Sequence, residues 1–487
     1  MPLNCFCILN VFILIKTLYR PAIFDHQLLT FMKTATQVIR FLLTGIVILC
    51  SMSCRKEEDR PEYPSGSFES VNSWILDSMQ VYYYWNTYLP DYTNFNSNPS
   101  DFFKMIRHPA DRFSALVNPD LPKTYPPSMA HTLGFDLITF QLSDGTVQTM
   151  ISLVVPGSSA EAEGLRRGNI INSIDGIRPT ASNIASLTET AISRQTVNLE
   201  IAGHNGQFTV GRLTNSESPV YIFKAFQSGG KTYGYLFLNS FEDAAVNQLM
   251  QAFSYFKQQH VHELLLDLRY NPGGSVPVAA ALASMISPYA RESDTFVEYR
   301  GNARAGVRKS SFAAELARLP KSIRRSFTVF AGYRLGLSRV YMLSGNHTAS
   351  AAELTINALK PYFSVIQTGT KSLGKDMASF VIRDYRNPQK VPKWEIYPMV
   401  FKLYNAAGRG NYSNGLVPDQ EVNELSVLPL KPFGDLTDPL VRSCLSVSGG
   451  GAVANLKDAP RSSPPVIRYD TRSREDVVSV MCMSRNQ

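Results

Sequence analysis

Between residues 55 and 443 the 487-residue chain contains no cysteine; all six lie near its ends, at Cys5, Cys7, Cys50, Cys54, Cys444 and Cys482. That absence excludes a disulfide framework or a cysteine metal site from the central span. Histidine is scarce too: of seven residues only His260 and His262 are near neighbours, and neither zinc-ligand spacing nor HExxH occurs. No metal and no cofactor are expected. Glycine and proline, at 30 and 29 residues, are too few for a low-complexity chain, and 44% hydrophobic with 18% charged residues is ordinary for a globular protein.

Residues 32 to 54, MKTATQVIRFLLTGIVILCSMSC, have the form of a signal peptide, with Lys33 and Arg40 in a basic opening and a short apolar stretch from Phe41 to Cys50. The stretch is about half the roughly 20 residues that span a bilayer, so a cleaved signal is favoured over a permanent span. Met32 is the expected start, because residues 1 to 31 only add an apolar run ahead of the basic opening. Cys54 followed by RKEEDRPEYP resembles a bacterial lipoprotein junction, although Ser51 stands where leucine is usual. The resemblance implies an acylated Cys54, export across the inner membrane and lipid anchoring in the cell envelope, at the outer membrane and facing periplasm or surface. Lys56, Glu57 and Glu58 resemble a surface-export signal of some Gram-negative groups. The alternative is a plain secretory signal with an incidental cysteine.

A chain of this length implies two or three folded units. After 1–54 and a polar linker at 55–67, a helical N-terminal domain is expected over 68–125. There VNSWILDSMQVYYYWNTYLP sets Trp74, Met79, Tyr82 and Trp85 near helical spacing until Pro90. The stripe reads as core rather than as a binding face. Over 126–216 short β-rich runs take over, GFDLITFQL, VQTMISLVV and TVNLEIA, around a helical SSAEAEGL. This unit resembles a PDZ domain through VVPGSSAEAEGLRRGNIINSIDGIRP, with Asn169 for the usual aspartate, and through TLGF at 132–135. The resemblance implies that Leu133, Gly134 and Phe135 form the loop whose N–H groups hold a peptide's terminal carboxylate while the peptide adds to the sheet edge. A PDZ fold serving only as spacer or lid is the alternative.

Over 217–440 the pattern is α/β. Strand YGYLFL precedes a helix with Val246, Leu249, Met250, Phe253 and Phe256 on one face, then strand ELLLDL, the loop RYNPGGS and the apolar helix VPVAAALASMI. Gly273 and Gly274 therefore sit on a strand-to-helix loop above a buried sheet. Residues 300 to 339 carry ten basic side chains against one acid, Glu315, more local excess than the net +8 of the whole chain. Such a cluster can attract acidic partners, but a solvated helical insertion is the favoured reading, and no nucleic-acid partner is expected. Residues 441–487, polar after SVSGGG, are expected to be disordered.

Ser350 follows the strand RVYML and a loop, and opens the helix AAELTINAL. With Glu353 three residues on, Ser-x-x-Glu is a capping box, which explains the serine without any catalysis. The region nevertheless resembles the C-terminal processing, or tail-specific, family of serine peptidases. The shared motifs come in the family's order: the helical lead-in, the PDZ-like unit, YGYLFLNSF, DLRYNPGG, TASAAE, GTKSLGK, NGLVPDQEV and GDLTDPL. The resemblance implies a multidomain α/β protein with a small helical N-terminal domain, a PDZ β-domain and a ClpP/crotonase-like catalytic core. It implies Ser350 as nucleophile and Lys375 as base, a dyad variant of the catalytic triad.

A lysine base must be neutral, so Lys375 has to be desolvated, for which Leu373, Met377, Phe380 and Val381 are at hand. Oxyanion donors are expected at the N–H groups of Ala351 and of Gly273 or Gly274. Ser379 stands where many members carry the glutamine that orients the lysine, and Asp376 replaces their glycine. His347 is a rival base, three residues before Ser350. The expected function is a lipid-anchored serine endopeptidase acting on unfolded or C-terminally exposed polypeptides. A peptide-binding lipoprotein with a decayed active site is the alternative, and oligomeric state is left open.

Overall fold

The computed structural model describes residues 62–449 and 464–474, apart from 92–93, 122–123, 125–127, 215–216 and 387–392. The signal-like segment and Cys54 lie outside the described residues. The chain divides after Glu62, and the architecture below is that of the unit beginning at Tyr63.

Helix α1 (Phe68–Tyr82) starts at Ser67, whose hydroxyl accepts from the Ser70 N–H, and buries Val71, Trp74, Ile75 and Met79 with Phe102, Phe103 and Ile106 of α2 (Pro99–Ile106). Tyr82 departs from the expected stripe and is exposed, while the next residue, Tyr83, is buried in this core. The short strand β1 (Ala115–Val117) follows.

The β-rich unit runs α3 (Met129–Leu133), β2 (Phe135–Gln141), β3 (Val147–Val154), α4 (Ser159–Ala162), β4 (Ile170–Ile174), α5 (Ile184–Arg194), β5 (Thr196–Ile201) and β6 (Gln207–Gly211). Alternate strand positions face inward, so Phe135, Leu137, Ile151, Val197, Leu199 and Ile201 form one core with Leu133 and Ile184 from the helices.

The remainder contains β7 (Val220–Ser228), β8 (Lys231–Leu238), α6 (Ala245–Gln258), β9 (Glu263–Asp267), α7 (Val276–Ile286), β10 (Thr295–Arg300), β11 (Val307–Ser311), α8 (Phe312–Leu316), α9 (Phe327–Ala331), β12 (Val340–Ser344), α10 (Ala351–Leu359), β13 (Val365–Gly369), β14 (Met377–Ser379), β15 (Ile382–Arg383), β16 (Glu395–Tyr397), β17 (Met399–Tyr404), β18 (Gln420–Glu421), α11 (Pro439–Val447) and β19 (Val466–Asp470). The main sheet has the order β18-β13-β12-β9-β8-β7, parallel throughout except for the β7–β8 hairpin. Helix α7 is apolar on every side and must be covered on every side; it packs among α6, α8, α9 and α10 in the core on one face of that sheet. On the other face, Leu440, Val441, Cys444 and Leu445 of α11 meet Leu265, Tyr341 and Leu343.

Two expectations need correction. The basic stretch 300–339 is not a solvated helical insertion. It continues from β10 through the hairpin to β11, then α8 and α9, and Phe312, Leu316, Leu319, Phe327 and Phe330 between its basic residues are core. Arg334 is itself drawn in, donating to the carbonyls of Ser284, Pro288 and Ala290. Nor is 441–487 wholly without structure: α11 extends to Val447, and β19 adds antiparallel to the outer edge of β2, giving the order β19-β2-β3-β4-β5-β6. Five residues of VIRYD are too short a pattern to announce a strand when its partner lies more than 300 residues earlier.

The lead-in is stitched to the α/β part, since β1 pairs antiparallel with β16, which also pairs with β15. Beneath the main sheet, Arg269 is fully buried between Asp267 at 2.8 Å and Asp438 at 2.9 Å, joining DLRYNPGG to GDLTDPL. Arg167 of the β-rich unit enters the same network at Glu424, 2.8 Å away, and at the Tyr270 hydroxyl.

Candidate active site

Strand β12 delivers the loop 345–349 and then Ser350, whose backbone has φ 53° and ψ −115°, a region that residues with side chains rarely enter. Three bonds hold it there: Ala349 N–H to Asn271 O at 3.0 Å, Leu354 N–H to Ser350 O at 2.8 Å, and Ser350 N–H to Glu353 Oε2 at 3.0 Å. Gly273 lies directly against the serine, since a Cβ there would stand 2.6 Å from Ser350 Cβ and 2.9 Å from the Ala351 nitrogen.

The carboxylate half of the predicted capping box is thus in place, but Glu353 does more than cap. It is fully buried and also accepts from the Ser372 hydroxyl at 2.5 Å, the Gly374 N–H at 2.7 Å and the Lys375 N–H at 2.7 Å. One side chain therefore fixes the serine turn and the lysine loop to each other. Burial pushes its carboxyl up to about 7 against the pull of these four donors.

Lys375 is 2% exposed, and burial brings its amine down to about 8, with Asp111 and Glu353 pulling it back up. Leu373, Met377 and Val381 form one apolar cluster with Phe113, Val117, Tyr397 and Met399, and the Phe113 ring centre is 5.8 Å from the amine. Phe380 stands at the rim, 40% exposed, edge-on to Tyr82. Ser350 and Lys375 open onto one cavity of about 390 Å³, shared with Gly274, Met377, Ser379 and Tyr299. Arg308 and Arg318 of the basic stretch also face it.

Several residues singled out by sequence take other places. The Gly273 N–H donates to Asn271 Oδ1 at 2.8 Å and is committed there, which leaves Gly274 and Ala351, the first residue of α10, of the three expected oxyanion donors. Ser379 lines the cavity but makes no hydrogen bond to Lys375. Asp376 turns away from that lysine, accepting from the Ser413 hydroxyl at 2.9 Å and lying 3.6 Å from Lys402 Nζ. His347 is no rival base: it is buried against Asp470, 2.7 Å away, and lines a different cavity of about 210 Å³ with Tyr270, Glu424 and Arg472. In TLGF, Gly134 (φ 79°) closes α3 by donating its N–H to Ala130 O at 2.8 Å, while Leu133 and Phe135 are core. The Gly134 amide is therefore not free for a carboxylate, and β19 lies along the adjoining strand.

Sequence reasoning missed Asp111 and Phe113 beside the lysine, the reach of Glu353 to the lysine loop, and Asn271 beneath Gly273. Only Glu353 left a signal, as the fourth residue of Ser-x-x-Glu; the others come from distant segments.

The chain matches the model of peptidase family S41 over residues 232–422 and that of the peptidase S41 N-terminal domain over 70–115. The carboxyl-terminal-processing protease of Synechocystis sp. is 25% identical over 333 residues, 65% of this chain and 69% of that protein. The protein of the same name from Picosynechococcus sp. is 25% identical over 273 residues, 55% of this chain and 60% of its own length. A solved structure from Bacteroides fragilis, assigned to the S41 proteases, superposes with a TM-score of 0.63 at 28% identity, covering 80% of this chain and 99% of that one. The glycine loop, the serine turn and the lysine loop all fall within the matched 232–422 segment. Over residues 70–115 and 232–422 the chain belongs to peptidase family S41, and it is a serine-type peptidase.

Proposed function

We propose that this peptidase is an endopeptidase of the carboxyl-terminal-processing kind, in which Ser350 is the nucleophile and Lys375 its base. Ser350 Oγ attacks the scissile carbonyl while Lys375 Nζ takes its proton. The N–H groups of Gly274 and Ala351 hold the oxyanion, and the lysine then returns the proton to the leaving amine. Water, deprotonated by the same amine, then attacks the acyl carbonyl, the bond to Ser350 Oγ breaks, and the lysine returns the proton to that oxygen. One observation carries the reading: a lysine buried on the cavity of a strained serine, its amine brought to about 8, is neutral often enough to act as a base near physiological pH.

The substrates are unfolded or C-terminally exposed polypeptides, of which the second kind agrees with the relatives' name of carboxyl-terminal-processing protease. The β-rich unit, read as a PDZ domain, recruits them by strand addition to β2, with main-chain bonding doing more than carboxylate capture. Cys54 anchors the enzyme by lipid in the bacterial cell envelope. Turnover of casein by purified full-length variants tests the dyad. Ser350→Ala and Lys375→Ala should each abolish it while remaining folded by circular dichroism, and Lys371→Ala, on the same loop, should retain it. Wild-type turnover in Lys375→Ala would overturn the mechanism.

A further inference from the structure

Strand β19 is not a generic edge strand. It runs antiparallel to β2, pairing Val466 with Gln141, Ile467 with Phe140, Tyr469 with Thr139 and Asp470 with Ile138, so that its C-terminal end points towards Gly134. The Tyr469 hydroxyl reaches across to Thr188 Oγ1 on α5 at 2.7 Å, and the strand thus lies between β2 and α5. Resting on the reading of this unit as a peptide-recruiting domain, we propose that the groove between β2 and α5 is a strand-binding site whose resident ligand is residues 466–472 of the same chain, so that a substrate segment must displace them to bind.

The segment carries its own recognition chemistry. The Thr471 hydroxyl donates to Asp136 Oδ1 at 2.9 Å and accepts from the Leu137 N–H at 3.1 Å, and Arg472 lies 2.9 Å from Asp136 Oδ2. Asp136 is fully buried on β2, where burial raises its pKa and Arg472 lowers it. A buried carboxylate of this sort needs a cation, so a competing ligand gains by bringing one. The groove therefore favours an extended, unfolded polypeptide with an aromatic residue opposite Thr188 and a basic residue three positions later.

The same segment touches both catalytic loops from behind. Asp470 holds His347, three residues before Ser350, at 2.7 Å, and Arg472 donates to the carbonyl of Tyr270, which precedes the Asn271–Gly274 turn, at 3.2 Å. Exchanging the resident strand for a substrate removes both contacts, so groove occupancy is felt at the serine turn and at the oxyanion loop. The hold is light on the outer side, where Val466 and Ile467 are about half exposed and the pairing slips at a bulge between Ile467 and Tyr469. A tethered strand of this kind competes at an effective concentration of roughly millimolar, which weak contacts suffice to exploit.

The test uses the full-length protein and a fluorescein-labelled synthetic peptide of residues 464–474. Tyr469→Ala/Asp470→Ala, which unclasps the segment from α5 and His347, should bind the peptide at least tenfold more tightly than wild type by fluorescence anisotropy. Equal affinity in a folded variant, with an unrelated unfolded casein peptide still bound, would overturn the resident-ligand proposal and leave the groove standing. Failure of every peptide to bind either protein would refute the recruiting groove itself. A second measurement needs no variant: hydrogen exchange of wild type saturated with casein peptide should speed up at 466–472 while 135–141 stays protected. Unchanged exchange at 466–472 with peptide bound would also overturn the proposal.

Discussion

With its amine at about 8, Lys375 is mostly protonated at pH 7 and mostly neutral at pH 9. Turnover that needs the neutral form should therefore rise with pH through an inflection near 8, measurable as kcat/KM on an unfolded substrate. The same shift sets a stability cost whose sign follows from linkage. The folded state holds the proton less tightly than an unfolded lysine at 10.5, so the penalty is full below about 8 and vanishes above 10.5. At 1.36 kcal/mol per unit the penalty is of the order of 3 kcal/mol. Lys375→Met should accordingly be inactive yet melt at a higher temperature than wild type at pH 7, with the gain shrinking as pH rises towards 10.5. A lower melting temperature at pH 7 would show that the lysine is not desolvated.

At the scale of elements, the β9–α7 loop and the β12–α10 turn are built against each other. Gly273→Ala would place a methyl 2.6 Å from Ser350 Cβ and 2.9 Å from the Ala351 nitrogen, at a position whose φ of 106° already excludes most side chains. Because the neighbours are backbone or the Cβ of Ser350, the turn has to move. The expected outcome is a loss of casein turnover of at least tenfold, together with destabilisation of about 1–3 kcal/mol by thermal melting.

These elements differ in how far their sequences announce them. VPVAAALASMI and YGYLFL declare themselves by apolarity alone, whereas Ser350, which its capping box explains as a mere cap, stands out only through the resemblance of TASAAE to a peptidase motif. The commitment of the Gly273 N–H to Asn271, the helical closing of TLGF and the strand VIRYD depend on partners far away in sequence. No local period encodes such partners. The basic stretch 300–339 was misleading for a related reason: counting charge hides the phenylalanines and leucines that bury the same helices.

Across the whole molecule, the lead-in unit reaches Lys375. Asp111, bound by the Tyr83 hydroxyl at 2.7 Å, raises the Lys375 pKa, and Arg112 next to it donates to the carbonyls of Ser413 and Leu373. Asp111→Asn should therefore move the pH inflection of kcat/KM below about 8 while the profile keeps its shape. An unchanged inflection would show that the lead-in only supports the fold. At the other end, mass spectrometry of the mature protein isolated from a host that processes lipoproteins should find an acylated Cys54 at its N-terminus. An unmodified chain beginning at Met1 or Met32 would refute the anchor.

The pairing of β2 with β19 also has a consequence in time. Leu137 and Thr471, bonded in the finished molecule, are 334 residues apart. At synthesis rates of roughly 5–20 residues per second, the edge of β2 emerges roughly 15 to 70 seconds before the strand that covers it can exist. Over that interval the nascent chain presents an exposed sheet edge to whatever extended polypeptide is nearby, its own unfolded remainder included. The strand that closes it is made more than 300 residues later.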